Sequence, residues 1–418
     1  MIRIRRFAWK CCDPFIWYTA NPFIRSLFLK EEIQLKHAAY LFIFLLTVLL
    51  LTGCWSSKDI EKLDLLLGVG IDEGQRNSHE YSEEDVMNVT FQLVNVSGNQ
   101  SSNTYSGNAK PFVNVNETGE SLLEAAREVL LKRKNTLNGQ HQRLVVLSSK
   151  IAQKRNIREL LDFFIRDPEA RMSCLIMVTD GLSRDIMNTE TNEIPSVHIK
   201  EISDHLNKSN KLIEPMTFSK INATMEAKSS FLLQNIEKRN NEIILTGAAV
   251  IKGDTLTQVG FLSEEELVGM NWLTALTDGG IVKIKEEGSN KPVTYELETV
   301  NSKVKPLLKN GRISFQVDTK VSGHISELIA ETDELTKKEN IKDLERQIEE
   351  KINEQIKKSL EKIQQDLKVD VLEFHDYVRI QHPDYWKSHK DDWENTFSQA
   401  KIDYQVDVQI SSLNMNIK

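Results

Sequence analysis

The longest apolar run of the chain, Ala38–Leu51, follows Lys36 and is 14 residues long. A helix crossing the hydrocarbon core of a bilayer needs about 20. The run therefore predicts the apolar region of an export signal rather than a permanent span. Beyond it the pattern changes to short elements. Leu65–Asp72 reads as a buried strand, and Met87–Val96 alternates at period two as its neighbour. Ser97–Asn108 is rich in Ser, Asn and Gly and predicts a loop. Leu122, Leu123, Ala126, Val129 and Leu130 give Gly119–Lys134 one apolar helical face. Arg143–Leu147 predicts a strand, Ile151–Phe164 a helix closed by Arg166-Asp167-Pro168, and Met172–Val178 another strand. This succession predicts a compact α/β unit over 55–186.

The polar stretch Met187–Pro195 sets a first boundary. Short helices are expected over Ser196–Leu206 and Thr217–Ala227, then strands over Glu242–Ile251 and Leu256–Phe261. Ser263 and Glu266 have capping-box spacing and open a helix through Leu276. These elements predict a small α+β middle domain over 187–285.

Glu286–Pro292 sets the second boundary, and 286–418 the third domain. Its first two strands, Val293–Val304 and Arg312–Val321, turn at Asn310-Gly311. Ile341, Leu344, Ile348, Ile352, Ile356, Leu360, Ile363 and Leu367 then recur at spacings of three and four. They predict a helix over 334–368, about 50 Å long at 1.5 Å per residue. The run of fours does not fit a seven-residue coil, which favours a helix lying on a sheet. Ile402, Tyr404, Val406, Val408 and Ile410 alternate with polar residues and predict a strand joining the other two in one antiparallel sheet. The fold class is thus α+β: three domains of mixed sheets with packed helices, the last with an antiparallel sheet and one long helix.

Composition narrows the partners. Residues 1–53 hold seven basic and three acidic residues, which leaves 46 basic, 58 acidic and a net charge of −12 on the remaining 365. That charge repels nucleic acid and anionic lipid, so no nucleic-acid partner is expected. Of Cys11, Cys12, Cys54 and Cys174, only Cys174 would remain as a free thiol, and a disulfide framework is excluded by count. Cys174 lies in a predicted buried strand and reads as a small core residue rather than a nucleophile.

Enzyme and cofactor signatures are weak. Gly68, Gly70 and Gly74 form GxGxxxG, one residue too long for a dinucleotide loop and not opening a helix. His375, His382 and His389 recur every seven residues, but helical ligand pairs usually sit three or four apart, and Pro383 interrupts the segment. No metal and no catalytic residues are expected. Arg166, Asp167 and Arg171 form either an interface patch or a salt-bridged turn, and the turn is favoured.

The end of the apolar run carries its own chemistry. Leu51-Thr52-Gly53-Cys54 resembles the bacterial lipobox, whose cysteine takes a diacylglycerol thioether before cleavage and then an N-acyl chain. Each buried methylene contributes about 0.8 kcal/mol, and two chains anchor stably where one does not. Cys54 is therefore the expected lipidation site, residues 1–53 the removed signal peptide, and the lipid bilayer a partner. The segment before Lys36 is longer than a signal needs; it reads either as a start set too far upstream or as an extended cytoplasmic n-region.

Several segments in order resemble the Ger(x)C lipoprotein family, the C subunit of bacterial spore nutrient-germinant receptors. They are Gly53-Cys54-Trp55, Leu66–Asp72, Glu120–Ala126, Arg166–Arg171, Gly247–Lys252, Trp272-Leu273, Val321–Glu327, Ile363–Asp370 and Tyr385-Trp386. The family usually has a glycine in the segment matching Asp370–Phe374, where Glu373 stands here. The resemblance implies a palmitate-type lipoprotein on the outer face of the cytoplasmic (spore inner) membrane. It also implies a membrane-spanning A subunit and a permease-like B subunit as partners, and a role in germination triggered by amino acids, sugars or nucleosides. Only Cys54 carries over as a site. The alternative is a solute-binding lipoprotein of a transporter, against which the unlikeness of the three segments argues.

Overall fold

The computed structural model describes residues 37, 40–44, 47, 62–74, 86–95, 110–191, 193–276, 279–285, 291–328 and 338–413. Two units cluster separately, Met1–Ile60 and Glu61–Lys418. In the first, the described residues are helical, with Tyr40–Phe44 exposed. The expected export signal falls largely outside the described residues, as do Cys54 and the start of the long helix at 334.

The described residues of the second unit form two sheets. The strands are β1 (Leu63–Glu73), β2 (Met87–Val94), β3 (Phe112–Gly119), β4 (Thr136–Asn138), β5 (Leu144–Ser148), β6 (Leu175–Thr179), β7 (Phe231–Arg239), β8 (Glu242–Lys252), β9 (Thr257–Leu262), β10 (Ile281–Lys285), β11 (Pro292–Lys309), β12 (Arg312–Leu328) and β13 (Lys401–Leu413). The helices are α1 (Leu122–Lys132), α2 (Ser149–Lys154), α3 (Ile157–Arg166), α4 (Ser183–Met187), α5 (Pro195–Ser203), α6 (Phe218–Glu226), α7 (Glu264–Thr274), α8 (Lys338–Leu360), α9 (Phe374–Gln381), α10 (Pro383–His389) and α11 (Trp393–Gln399).

The first sheet runs β3-β2-β1-β5-β6-β7-β8-β9, with β4 beside β1. Its centre, β1-β5-β6-β7, is parallel and its flanks are antiparallel. Strands covered on both faces should be apolar throughout, and β5 and β6 are buried at every residue. One face packs on α1, α3 and α6 through Val129, Leu160, Phe164 and Phe218. The other packs on α4 and α5 through Ile186, Met187 and Ile199. The polar stretch 187–195 lies between β6 and β7, which share this sheet through the pair Val178↔Asn235.

The predicted helix over Ile151–Phe164 is two helices. Asn156 caps α3 by accepting from Arg158 N at 2.8 Å, and Ile157 N donates to Leu256 O at 2.8 Å, so the chain turns at 155–156. The capping box of α7 forms in full: Glu266 N donates to Ser263 Oγ, and Ser263 N to Glu266 Oε2.

The second sheet runs β10-β11-β12-β13. Asn310 and Gly311 both take positive φ, 50° and 72°, as a two-residue hairpin turn requires. The expected antiparallel placing of the last strand is corrected: β13 pairs parallel to β12, Ser314 facing Lys401 through Ile325 facing Leu413. The chain between them runs through α8 and three short helices, and a crossover of that kind brings a strand back in the same direction. Val406 and Val408 are buried, while Asp403, Gln405, Asp407 and Gln409 face water.

The long helix packs against both this sheet and α7. Leu344, Ile348, Ile352, Ile356 and Leu360 form its buried stripe, each contributing about 1.5–3 kcal/mol by leaving water. It ends in a π-helical segment, Glu361–Leu367, stopped by Lys368 in the left-handed conformation. At the sheet edge, Val408 N donates to Glu349 Oε1 (3.1 Å) and Ile410 N to Glu345 Oε1 (2.9 Å), so α8 satisfies donors that β13 would otherwise leave open.

Candidate functional site

A buried polar cluster lies where residues just before β7 meet the segment after α8. Asp370, 1% exposed, holds the turn that opens α9. One carboxylate oxygen accepts from the backbone N–H groups of Leu372 and Phe374, both at 3.1 Å. The other accepts from His375 N (2.9 Å), His375 Nδ1 (3.3 Å) and Trp393 Nε1 (2.8 Å). Asp370 N donates to Glu394 Oε2 at 2.6 Å, and Ser230 Oγ donates to Glu394 Oε1 at 2.5 Å. Gly253 N donates to Ser230 Oγ, and Ser229 Oγ lies 3.0 Å from His375 Nε2. The cluster thus ties the entry of β7 and the β8–β9 turn to α9 and α11.

Electrostatics follow from this packing. Burial opposes a charge on His375, but the hydrogen bond and charge of Asp370, with Asp376 and Glu373, outweigh it and raise its pKa above 6.5. Burial raises the Glu394 carboxyl above its ordinary range despite the Ser230 and Asp370 N donors. Burial also raises Glu373; the His375 charge opposes this, and nearby carboxylates add to it.

Glu373 has φ of 57° and ψ of 29°, the left-handed region. An L-residue there costs about 1–2 kcal/mol, which glycine avoids. The turn stays in place because Asp370 grips the backbone on both sides of it. This is the segment in which the resembling family usually has glycine, so the local conformation is the one glycine favours.

Beside the cluster opens a cleft of about 340 Å³. Ile213, Phe231, Leu232, Met270, Leu273 and Phe374 line its buried part. Leu276, Tyr377 and Ile380 stand at its mouth, with Ile380 70% exposed. Glu214, Glu373 and Asp376 supply its charges, and no Lys or Arg lines it.

The residues singled out in the sequence have other roles. His375 belongs to the cluster; His382 lies 3.4 Å from Pro306 O; His389 stacks on Tyr385 at 3.9 Å. The three therefore do not converge. Among the described residues no group of three or more His, Cys, Asp and Glu is placed to hold a metal. Gly68 and Gly70 lie in β1, where added Cβ atoms would come within 2.7 Å of Ser196 Cβ and Ser183 Oγ; they let α4 and α5 approach the sheet. Arg166 pairs with Asp162, Asp167 accepts from Glu169 N, and Arg171 donates to Ser173. Cys174 is fully buried, and burial pushes its thiol well up in pKa, away from nucleophilic character.

Ser229, His375 and Asp370 stand in serine-hydrolase order, but acyl transfer also needs a cavity at the nucleophile. The adjoining cleft is lined by Ser230, not by Ser229 or His375, and Asp370 is occupied by backbone donors. The observed role of these groups is to tie together the entry of β7, α9 and α11.

The architecture is that of a known class of spore germination protein. Residues 56–238 match the spore germination protein N-terminal domain, and residues 246–413 match the spore germination B3/GerAC-like C-terminal domain. The boundary between the two matches falls at the β7–β8 hairpin. The chain belongs to the GerAC-like family of spore germination proteins. It is 33% identical to spore germination protein YndF of Bacillus subtilis (strain 168) over 398 residues, covering 92% of this chain and 98% of that protein. Identity is 31% over 364 residues to spore germination protein A3 of the same strain, covering 86% of this chain and 94% of that protein. Against spore germination protein B3 it is 28% over 380 residues, covering 90% and 98%. The fold matches the crystal structure of the GerBC protein with a TM-score of 0.58 at 23% identity, covering 82% of this chain and 97% of that one.

Proposed function

We propose that the protein is the membrane-anchored lipoprotein subunit of a spore germinant receptor, with a non-catalytic role in binding and assembly. The observation that carries this reading is the joining of two features in one chain. A short apolar run ends in Leu51-Thr52-Gly53-Cys54, and family-matched sequence begins at residue 56. A diacylglycerol and an N-acyl chain on Cys54 would hold residues 55–418 at the outer face of the cytoplasmic membrane. There they would meet a membrane-spanning A subunit and a permease-like B subunit. Among the described residues no helix is long and apolar enough to cross a membrane, so the reading places the membrane attachment on the lipid.

Two measurements test it. Spores lacking the protein should lose the response to one set of nutrients, and wild type should restore it where Cys54→Ala restores it poorly. Metabolic labelling with an alkyne fatty acid should mark the wild-type chain and not the Cys54→Ala chain. Full rescue by an unlabelled Cys54→Ala chain would remove the anchor from the account. A defect in uptake of one solute, with germination intact, would favour the transporter alternative.

A further inference from the structure

The cleft beside Asp370 has the composition of a ligand site rather than of a packing gap. Its depth is apolar, its mouth exposes Leu276, Tyr377 and Ile380 together, and its volume of about 340 Å³ falls in the range of small-molecule pockets. Its three carboxylates are not equivalent. Glu214 is paired with Lys220, and Asp376 with Arg379. Among the described residues Glu373 makes no ion pair, and it lines the cleft from a left-handed backbone position that glycine would fill without strain.

We propose that this cleft binds a small organic cation, an ammonium group on an apolar body, with Glu373 as the anchoring carboxylate. The apolar body would enter between Phe231, Leu273 and Phe374, and the ammonium would remain at the mouth beside Glu373. An anion is disfavoured because, among the described residues, Glu373 carries no paired cation and no Lys or Arg lines the cleft, and a fully polar ligand gains nothing from the apolar depth. This goes beyond the receptor reading and stands independently of lipidation and of partner subunits.

The test uses the full chain in neutral detergent micelles, with the heat of the micelles alone subtracted. Phenethylammonium is titrated into wild type, Glu373→Gln and Glu373→Gly by calorimetry, and 3-phenylpropionate serves as the anionic analogue. Wild type should bind the ammonium, and both variants should bind it at least tenfold more weakly. The anion should give no heat above the blank. Glu373→Gly should unfold at the same or a higher temperature than wild type, which separates loss of the anchor from loss of the fold. Equal binding in all three proteins, binding of the anion as strong as that of the cation, or no heat above the blank would overturn the proposal.

Discussion

Gly269 of α7 lies against the main-chain carbonyl of Gln355 in α8, so closely that a methyl group on Gly269 would sit 2.1 Å from that oxygen. Two turns of helix are thereby in backbone contact, and the Gln355 side chain returns to accept from Trp272 Nε1 at 2.9 Å. The contact seats the long helix, because the neighbouring Trp272 and Leu273 belong to the same buried cluster as the stripe of α8.

Gly269→Ala should therefore destabilise the protein although alanine is the better helix former. Overpacking of a rigid contact costs about 1–3 kcal/mol, more than the roughly 1 kcal/mol gained in helix propensity. Urea unfolding should show a lower midpoint; a midpoint at or above wild type would mean that the two helices separate freely.

The Asp370 carboxylate should matter more than any one of its donors. Trp393→Phe removes one hydrogen bond to a charged group, a loss of about 1.5–3 kcal/mol. Asp370→Ala strands that indole together with three backbone N–H groups and the His375 ring, and should cost more. Equal losses in the two variants would show that the turn is held by packing alone.

Stability should fall as pH rises through the neutral range. The folded protein holds a proton on His375 more tightly than the unfolded chain, whose value is near 6.5. That stabilisation is full below 6.5 and is lost as pH climbs through the raised folded value. Glu394 acts in the same direction from about 4.5 upward, because burial raises it in the folded state. Against wild type, His375→Gln should show a flatter decline in unfolding midpoint between pH 6.5 and 8. A decline of the same slope in both would place the titration elsewhere.

Replacing Glu345 and Glu349 together by alanine should open the edge of the second sheet. Val408 N and Ile410 N would lose their acceptors, and an unpaired edge recruits further strands. Light scattering after gel filtration should find dimers or larger species in the double variant. A clean monomer there, from a monomeric parent, would mean that the edge is covered by other means.

A fluorophosphonate probe should leave Ser229 unlabelled despite its histidine neighbour. Labelling that vanishes in Ser229→Ala would instead make this corner of the molecule a hydrolase site.

Much of this fold was legible one element at a time. The Ser263 capping box and the alternation from Ile402 to Ile410 are local patterns with one structural meaning each. What the alternation cannot carry is direction: the same spacing serves a parallel or an antiparallel neighbour, and only the crossover through α8 decided it. The strand Phe231–Arg239 was not read from the sequence because buried Gln234 and Asn235 interrupt its apolar half. Gln234 is accommodated by bonds to Ile213 N and Gly247 O. Strand Phe112–Gly119 escaped likewise, its asparagines being matched by polar partners on β2 such as Thr90 and Gln92. The candidate site was less legible still. Glu373 stood out only as a departure from a glycine, and nothing near Asp370 in sequence announces that Trp393 and Ser229 converge around it.

The parallel seating of β13 has a consequence in time. Residues 329–400 separate it from β12, so the pairing closes a long loop and is entropically expensive until α8 has docked. A chain made from its N-terminus presents β12 with one open side until residues 401–413 are available. The hydrophobic face of α8 waits equally for Val406 and Val408. The slowest and most exposed moment in this protein's folding should thus be the arrival of its final strand, and agents that capture unfolded chains should find their target there.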